Sequence, residues 1–442
     1  MPYTMSTKQL SIVNQKPIAL TYDSFPIYKV PGHIKYEETN HTSSVPSMAS
    51  PMGNTNRIDI EPANDDFYVI EELYLDWLAT NSSGTEAPTF LNVFSTIQEV
   101  VLKINGSIVD HLKGQNDIIC AVSDYLHEHA DYVTHALGRC RSENANTYNG
   151  ETVAVSSTLQ FSLPMTVLFP FLKGLSVGGK DAKVWKITFE VTFTSNTNTA
   201  SSLTFSVKSN TTSNAYSTNL TYSNIQIRNC FYRPSSEVRD LVLQRVGARM
   251  YRIAHENVTQ TVAWNTINTD YTRINLNTTF TKSIKNIRGM YVFIDVPAAR
   301  TAFNDADAAE LWSGAAYIGV KILHSGRVIL DHSNAVNDLK KRRDYNMLVH
   351  KKMWGKELPL AVMTESDNLP RYYFLETFID LTNVEVFDQH ELAVSSLNNM
   401  ENIEIQLYCA SALGASVQLH TVLEYVEEIQ HDGKGNYRQA NL

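Results

Sequence analysis

A glycine-rich stretch at residues 174–181, GLSVGGKD, comes close to a phosphate-binding loop. That loop, GxxxxGK followed by Ser or Thr, needs the hydroxyl for Mg²⁺ and a helix whose first amide groups point at the phosphate. Here Asp181 replaces the hydroxyl and adds a negative charge, and the following AKVWKITFEV has the pattern of a strand. We therefore interpret residues 174–181 as a tight turn.

A histidine-rich patch at residues 125–135, YLHEHADYVTH, is the candidate metal site of the sequence. It does not match HExxH, in which two histidines four residues apart share a helix face. His127, Asp131 and His135 could share such a face, but no fourth ligand is identifiable. A solvated or interface helix face is the preferred interpretation.

Two Asp-His pairs, Asp110-His111 and Asp331-His332, suggest catalysis because they recur. Adjacent residues on a strand point to opposite faces of the sheet, so neither pair can act together on one substrate. Internal duplication of the chain explains the recurrence better than catalysis does. A glycoside hydrolase would need two carboxylates across a cleft, and no such pair stands out.

Charge argues against a nucleic-acid coat. A basic stretch, KKRRD at residues 340–344 with Lys351, Lys352 and Lys356 after it, could contact nucleic acid or anionic lipid headgroups. The chain as a whole has a formal net charge of -9, whereas a nucleic-acid coat needs clustered cations to neutralise phosphates. A solvated helix or pairing between subunits is preferred for this stretch. We predict no enzyme activity, and assign no catalytic, cofactor-binding or metal-binding residues and no cofactor.

Cysteine usage and apolar runs indicate a soluble intracellular protein. The four cysteines, Cys120, Cys140, Cys230 and Cys409, are scattered and are expected to be free, mostly buried thiols. The densest apolar run, MTVLFPFL at residues 165–172, is too short to span a membrane. The first residues, MPYTMSTKQLSIVNQK, lack the apolar core of a signal peptide.

Short runs of β-branched and aromatic residues between Asn, Asp, Pro and Gly predict antiparallel β-structure. In KVWKITFEVTF apolar and polar residues alternate, which predicts one buried and one exposed face. Helical spacing at residues 116–137 predicts a helix, and the polar residues 195–223 predict a long exposed hairpin or loop. The expected organisation is an extended arm at 1–55, a first β domain at 56–232, a linker at 233–256, a second β domain at 257–428 and a tail at 429–442.

The second half repeats the first. KINGSIVDH at residues 103–111 is matched by KILHSGRVILDH at 321–332, and RIDI at 57–60 is matched by RINL at 273–276. FLETFIDL in the second half matches STLQFSLP in the first, and MENIEIQLYCA matches AKVWKITFEVT. A second helical pattern follows the second Asp-His. Gly106 and Gly326 are expected in turns with positive φ. Four matched elements in the same order predict two copies of one β-rich domain.

Each half has about eight strand candidates and one inserted helix, and a repeat this long must close its own core. An eight-stranded antiparallel sandwich of two Greek keys is a jelly roll. We therefore predict an all-β chain of two consecutive eight-stranded jelly-roll sandwiches, each with an inserted helix.

Two consecutive jelly rolls in one acidic chain resemble the double jelly-roll major capsid proteins of tailless icosahedral viruses, the lineage of adenovirus hexon. The residues that carry this resemblance are EELYLDWL leading into FSTIQEVVLKINGSIVDHL, then LQFSLPMTVLFPFLKGLSVGG and KVWKITFEV. The resemblance extends over roughly residues 57–428, and its weight comes from the order and duplication of motifs that are individually unspecific.

The resemblance implies a structural protein of the virion shell, made in the host cell, that forms a homotrimer. Six upright jelly rolls would form a pseudo-hexagonal capsomer, with loops such as residues 195–223 on the outside. It also implies contacts with neighbouring capsomers and with penton or minor capsid proteins, and an N-terminal arm near an internal membrane. No sequence-specific contact with nucleic acid is expected.

A carbohydrate-binding β-sandwich, such as an adhesin or a receptor-binding virion protein, is the alternative. It would need an aromatic cluster with Asn or Asp on exposed loops, and Ca²⁺ ligands. The polar stretch at residues 195–223 offers only two tyrosines, Tyr216 and Tyr222, which gives this alternative little support.

Overall fold

Within the residues it describes, the computed structural model contains 22 β-strands, two one-turn α-helices, a 3-10 turn and the helical residues Asp117, Ile118 and Ala121. The helices are α1 (Met165–Leu168) and α2 (Leu276–Thr279), and the 3-10 turn is Pro170–Leu172. The described residues are 35–44, 47–48, 55–63, 66–82, 84, 88–90, 97–114, 117–118, 121, 151–152, 154–179, 183–193, 208–209, 220–234, 249–280, 287–295, 318–334, 377–380, 403–409, 412, 414–431 and 437–439.

The first half of the chain forms a sandwich of two antiparallel sheets. One sheet has the strand order β1-β13-β4-β10, with β2 on β13 and β9 on β4, and the other has the order β3-β11-β6-β7. A small sheet, β12-β5-β8, accompanies them. The strands are β1 (Lys35–Thr42), β2 (Ser47–Met48), β3 (Thr55–Ile60), β4 (Phe67–Asn81), β5 (Pro88–Phe90), β6 (Ile97–Ile104), β7 (Ser107–Leu112), β8 (Glu151–Thr152), β9 (Thr158–Pro164), β10 (Ser176–Gly178), β11 (Ile187–Phe193), β12 (Lys208–Ser209) and β13 (Leu220–Arg233).

The second half forms a second sandwich of the same kind. Its sheets have the strand orders β14-β21-β16-β19, with β22 on β21, and β15-β20-β17-β18. The strands are β14 (Arg249–Trp264), β15 (Tyr271–Asn275), β16 (Ile287–Asp295), β17 (Ile318–His324), β18 (Arg327–His332), β19 (Thr377–Asp380), β20 (Ile403–Cys409), β21 (Gly414–His431) and β22 (Tyr437–Gln439).

The two sandwiches have matching topologies. In the first, β1, β13 and β4 have the positions that β14, β21 and β16 have in the second. The order β3-β11-β6-β7 likewise matches β15-β20-β17-β18 strand for strand. Both halves therefore place four principal strands in each layer, which is the arrangement of a jelly roll. The predicted fold, all-β with two consecutive jelly-roll sandwiches, and the predicted duplication are confirmed.

Alternating side chains build each core, as the sequence pattern predicts. In β11, Ile187, Phe189, Val191 and Phe193 are buried, while Glu190 between them is partly exposed. Trp77, on the adjoining sheet, lies within 6 Å (ring centroid to centroid) of three other rings. Those rings belong to Phe161, Phe193 and Tyr222. Such aromatic pairs bury large areas and add about 0.5–1.5 kcal/mol each beyond that burial.

The hydrophobic core of the first sandwich extends into the second half of the chain. Its buried cluster includes Tyr291, Val422 and Ile429, which belong to strands of the second sandwich. A separate cluster fills the second sandwich, with Trp264 and Leu407 among its fully buried members. The two sandwiches therefore pack against each other through an apolar contact.

The structured part of each half extends beyond the predicted bounds. β1 lies in the predicted arm of residues 1–55, and β14 begins at Arg249, inside the predicted linker of 233–256. β22 lies in the predicted tail of 429–442. The pattern missed β1, KYEETNHT, because most of this edge strand is exposed and no apolar residues alternate along it.

Other expectations concern residues only partly described. Of the predicted helix at 116–137, Asp117, Ile118 and Ala121 are helical, and the remainder lies outside the described residues. The second predicted helix lies outside them from residue 335 onwards, as does most of the stretch at 195–223. Cys230 and Cys409 are buried free thiols, as expected, and the other two cysteines are not among the described residues.

Candidate functional site

The glycine-rich stretch at residues 174–181 is a strand and turn, as the sequence indicates. Its strand, β10, pairs with β4. The amides that a phosphate loop would direct at its ligand already bond to backbone carbonyls of the protein. Gly174 donates to Ile70 over 2.7 Å, Gly178 to Val184 over 2.9 Å and Gly179 to Asp66 over 2.9 Å. Lys180 and Asp181 lie outside the described residues.

Two other candidate features fall in the undescribed part of the chain. The histidine-rich patch at residues 125–135 and the basic stretch at 340–344 lie outside the described residues, as do Lys351, Lys352 and Lys356. Within the part of the chain that is described, no group of three or more His, Cys, Asp or Glu side chains has the geometry of a metal site. A search of the same part finds no helix long and apolar enough to cross a membrane.

The β6–β7 and β17–β18 hairpins are equivalent, and their turns have the same backbone conformation. Asn105 and Gly106 have φ of 52° and 87°, and Ser325 and Gly326 have φ of 49° and 77°. Positive φ at both central residues is the type I′ geometry of a two-residue hairpin turn. Both predicted turns are therefore confirmed. Aligning the turns pairs residue 106 with residue 326.

The two Asp-His pairs do not occupy equivalent positions in these hairpins. Asp110 lies opposite Leu102, on the side of the core, whereas Asp331 lies opposite Lys321 and binds its ammonium group at 3.2 Å. The counterpart of Asp110 is Leu330, because Leu330 lies opposite Ile322 just before an equivalent β-bulge. The explanation of the repeated Asp-His by duplication was therefore wrong, since one residue separates the two pairs in register.

Asp110 instead belongs to a buried ionic cluster where the two sandwiches meet. The Arg252 guanidinium contacts the Asp110 carboxylate directly and donates to Glu427 Oε2 from Nε over 2.8 Å. Arg252 and Glu427 lie opposite each other on β14 and β21, and Asp110 is on β7. All three side chains are at least 84% buried. One cation thus bridges an edge strand of the first sandwich and a sheet of the second.

The outer face of the β14-β21-β16 sheet contributes further to this contact, which we call the junction. His255 and Glu424 lie opposite each other on that face, with Nε2 and Oε2 3.6 Å apart and both side chains buried. Tyr291 and Val422, opposite each other on β16 and β21, belong to the core of the first sandwich. The junction therefore combines an apolar centre with buried charges.

Burial controls the ionisation of the junction. It tends to lower the pKa of Arg252, but Asp110 and Glu427 outweigh that effect and raise this pKa, so the guanidinium stays charged. Burial raises the pKa of Asp117, which accepts a hydrogen bond from the Lys113 amide over 2.8 Å. The Asp110 charge also raises the pKa of Asp117. The junction thus contains a carboxyl group that is costly to ionise.

Sequence analysis missed Arg252, His255, Glu424 and Glu427. The first two lie in the segment interpreted as a linker, and the last two near the end of the second domain. A usable signal was present in β21, where TVLEYVEEI places three acidic residues within an apolar run. Charges in a strand that is apolar on both faces indicate buried ionic contacts.

Comparisons with known proteins identify the fold. No protein-family model matches the sequence, and a search of curated proteins found no match either. Among solved structures, the quasi-atomic model of the PBCV-1 virus capsid has a TM-score of 0.58 at 12% identity, covering 93% of this chain and 98% of that chain. PBCV-1 VP54, from a crystal structure fitted into a cryo-EM reconstruction of the virophage Sputnik, has a TM-score of 0.57 with the same identity and coverage.

A capsid protein from another virus is also similar in structure to this chain. The Faustovirus major capsid protein has a TM-score of 0.52 at 8% identity and covers 92% of this chain and 92% of its own. The similarity thus includes both sandwiches and almost the full length of each neighbour, at identities where only the fold is informative. The chain has the double jelly-roll fold of these viral major capsid proteins.

Proposed function

We propose that this chain is a structural subunit of an icosahedral virus shell. The observation that carries the proposal is the near-complete coverage, 93% of this chain and 98% of its neighbour, by a fold found in the PBCV-1 capsid. A shell subunit works through wide contacts between copies and needs no reactive pocket. We therefore expect no catalytic activity and no cofactor.

The duplicated architecture supports a homotrimer as the building unit. A heterologous contact, in which one surface of a subunit binds a different surface of the next, closes into a ring when the rotation allows. Three copies would place six sandwiches of matching topology around one axis, which gives a pseudo-hexagonal outline from a threefold particle. Capsomers with this outline would tile the flat facets of an icosahedral shell.

Finer features of the proposal concern partners. The chain would be synthesised in the host cell. In the virion, its capsomers would contact one another and penton or minor capsid proteins. The predicted N-terminal arm, residues 1–55, would face the virion interior, near an internal membrane. These assignments rest on the resemblance to the capsid lineage.

The first test is the mass and shape of the purified full-length chain. Light scattering coupled to size-exclusion chromatography should give a particle three times the 49.8 kDa of one chain. Negative-stain images of that particle should have threefold symmetry and a hexagonal outline. A stable monomer would contradict the proposal, and a monomer that binds glycans on an array would favour the carbohydrate-binding alternative.

A further inference from the structure

Two tyrosines lie side by side on the outer face of the sheet with the strand order β15-β20-β17-β18. Along β20, buried residues alternate with Glu404, Gln406 and Tyr408, which are partly exposed on that face. Tyr408 lies opposite Tyr271 of β15, with ring centroids 5.1 Å apart and ring planes inclined by 32°. Tyr271 is 39% exposed. The two rings therefore form one continuous aromatic surface that faces solvent.

Polar contacts join the two tyrosines and the three side chains beside them into a closed set. Arg273 donates from Nη2 to the Tyr271 hydroxyl over 2.7 Å, and its Nε lies 3.4 Å from Glu404 Oε1. Gln406 donates to Glu404 over 2.7 Å and accepts from the Tyr408 hydroxyl over 2.8 Å. We call these five residues the tyrosine platform. Each holds its neighbours in place, so less rotamer entropy remains to be lost when a ligand binds.

The charges of the platform are paired, which favours a neutral ligand. Arg273 pairs with Glu404. The adjacent Lys321 on β17, opposite Gln406, pairs with Asp331 of β18 at 3.2 Å. A charged ligand would have to displace one of these partners, whereas a ligand with hydroxyl groups can share their remaining hydrogen-bonding capacity. The platform also cannot add a peptide strand, because β20 is an inner strand whose backbone bonds to β15 and β17.

An exposed loop at residues 265–270 borders the platform and leads directly into Tyr271. Within it, Asp270 accepts hydrogen bonds from two loop amides over 2.7 Å each. The Asn268 side chain donates to Asn334, which follows β18, over 3.0 Å, so the loop crosses the end of the sheet. The rings are therefore accompanied by Asn and Asp on an exposed loop, which is the combination that a carbohydrate-binding β-sandwich needs.

The first sandwich has the same two positions without the rings. The matched RIDI and RINL motifs place Thr55 at the position of Tyr271. Thr55 lies opposite Thr192 on β11, and their hydroxyl oxygens are 2.8 Å apart. Thr192 thus has the position of Tyr408. Two threonines satisfy the fold at these positions, so the second half has its tyrosines for a reason other than folding.

We propose that the tyrosine platform binds the hexose rings of a neutral cell-surface glycan. The faces of a pyranose ring carry C–H groups, whose partial positive charge is attracted to the negative face of an aromatic ring. Tyrosine offers this contact area with few rotatable bonds to immobilise. Gln406, Arg273 and the tyrosine hydroxyls bind the sugar hydroxyl groups and fix the orientation of the ring. This inference goes beyond the proposed shell function and does not depend on it, because one chain contains the whole platform.

The first experiment presents the purified full-length chain to an array of immobilised oligosaccharides. The array carries neutral glucose, galactose, mannose and N-acetylhexosamine chains together with sialylated and sulfated ones. Neutral chains should bind, and adding a sialic acid or a sulfate should not strengthen binding, because the cations of the platform already have partners. Binding confined to acidic chains, or to none, would overturn the inference.

A double substitution, Tyr271→Thr with Tyr408→Thr, removes the aromatic surface. The first sandwich has threonines at the same two positions, so the sheet should fold. Titration calorimetry with the best neutral oligosaccharide of the array should give a dissociation constant raised about tenfold or more. Tyr36→Thr is the matched control, because Tyr36 is 50% exposed but packs edge-on against Tyr232, with ring planes at 62°. Equal losses of affinity in the control and the double variant, or no loss in the double variant, would show that the platform is not the site.

Light scattering on the same samples separates this inference from the proposed function. A trimer that binds through the platform supports both, and a monomer that binds through it refutes only the shell unit. An unmodified trimer that binds no neutral glycan refutes only the inference. Loss of the trimer in the double variant would assign the platform to a contact between chains and would also overturn the inference. Circular dichroism checks folding, and Tyr271→Thr alone replaces the double variant if that variant is unfolded.

Discussion

Two hairpin turns with the same backbone conformation differ in what their first residue does. Asn105 accepts a hydrogen bond from the Trp185 amide over 2.9 Å and donates to the Lys183 carbonyl over 2.6 Å. It therefore ties the β6–β7 turn to the segment that leads into β11. Ser325 occupies the same position with φ of 49°, in a region that asparagine tolerates better than serine.

Exchanging these residues should therefore have opposite effects. Asn105→Ser should lower the free energy of unfolding by about 1–3 kcal/mol, because it leaves the backbone groups of the neighbouring segment without their partner. Ser325→Asn should raise it by about 0.5 kcal/mol, because asparagine suits the left-handed conformation. Scanning calorimetry measures both. Equal shifts of the same sign would show that the hydrogen bonds of Asn105 add nothing to the turn.

The two hairpin turns were predictable from the sequence, but the hydrogen bonds that Asn105 makes in one of them were not. Glycine after Asn105 or Ser325, between β-branched runs, indicates a hairpin in each half. The partners of Asn105 lie about 80 residues away and are brought to it by the pairing of β6 with β11. Local patterns contain no information about such partners.

At the scale of strands, too, the features set by local sequence were predictable and those set by long-range packing were not. β3, β6, β11 and β20 were predictable because their side chains alternate between core and solvent. The junction was not, because Arg252 and Asp110 are 142 residues apart and meet only through packing of the two sandwiches. The periodicity of β21 also gave no sign of the junction. Because β21 is buried on both faces, it lacks the alternation of apolar and polar residues that identifies a surface strand.

The junction should make stability depend on pH through Asp117. Its pKa is raised in the folded protein, so the folded state keeps this proton to a higher pH than the unfolded chain does. Stability is then lost as pH rises through the raised pKa. Asp117→Asn removes this loss, so the melting temperature of the variant relative to the unmodified chain should increase between pH 4 and pH 8, measured by calorimetry.

Asp331 provides a control of opposite sign. Hydrogen bonds from Ser333, and then Lys321, lower the pKa of this exposed carboxyl. Its contribution to stability is present above the ordinary aspartate pKa and is lost as pH falls through the lowered value. Asp331→Asn should therefore destabilise the protein slightly near neutral pH and have no effect in acid. Parallel pH profiles for the two variants would contradict the burial of Asp117.

For the complete chain, the shared core predicts coupled unfolding of the two sandwiches. The first core contains Tyr291, Val422 and Ile429 from the second half, so opening either sandwich exposes apolar surface of the other. Domains joined by a small polar contact unfold separately, whereas a large apolar contact makes unfolding cooperative. The unmodified chain should therefore give one calorimetric transition.

Arg252→Met should divide that transition into two. Removing the cation leaves Asp110 and Glu427 buried without their partner, a change that typically costs about 3–5 kcal/mol, and this cost falls on the contact between the sandwiches. Arg273→Met is the matched control, because its side chain is 58% exposed and its ion pair with Glu404, at 3.4 Å, lies within the second sandwich. An exposed pair contributes little to stability because solvent screens it, so the control should unfold in one transition. A single transition in both variants, with equal shifts, would mean that the ionic cluster does not couple the two halves and that the apolar centre of the junction suffices.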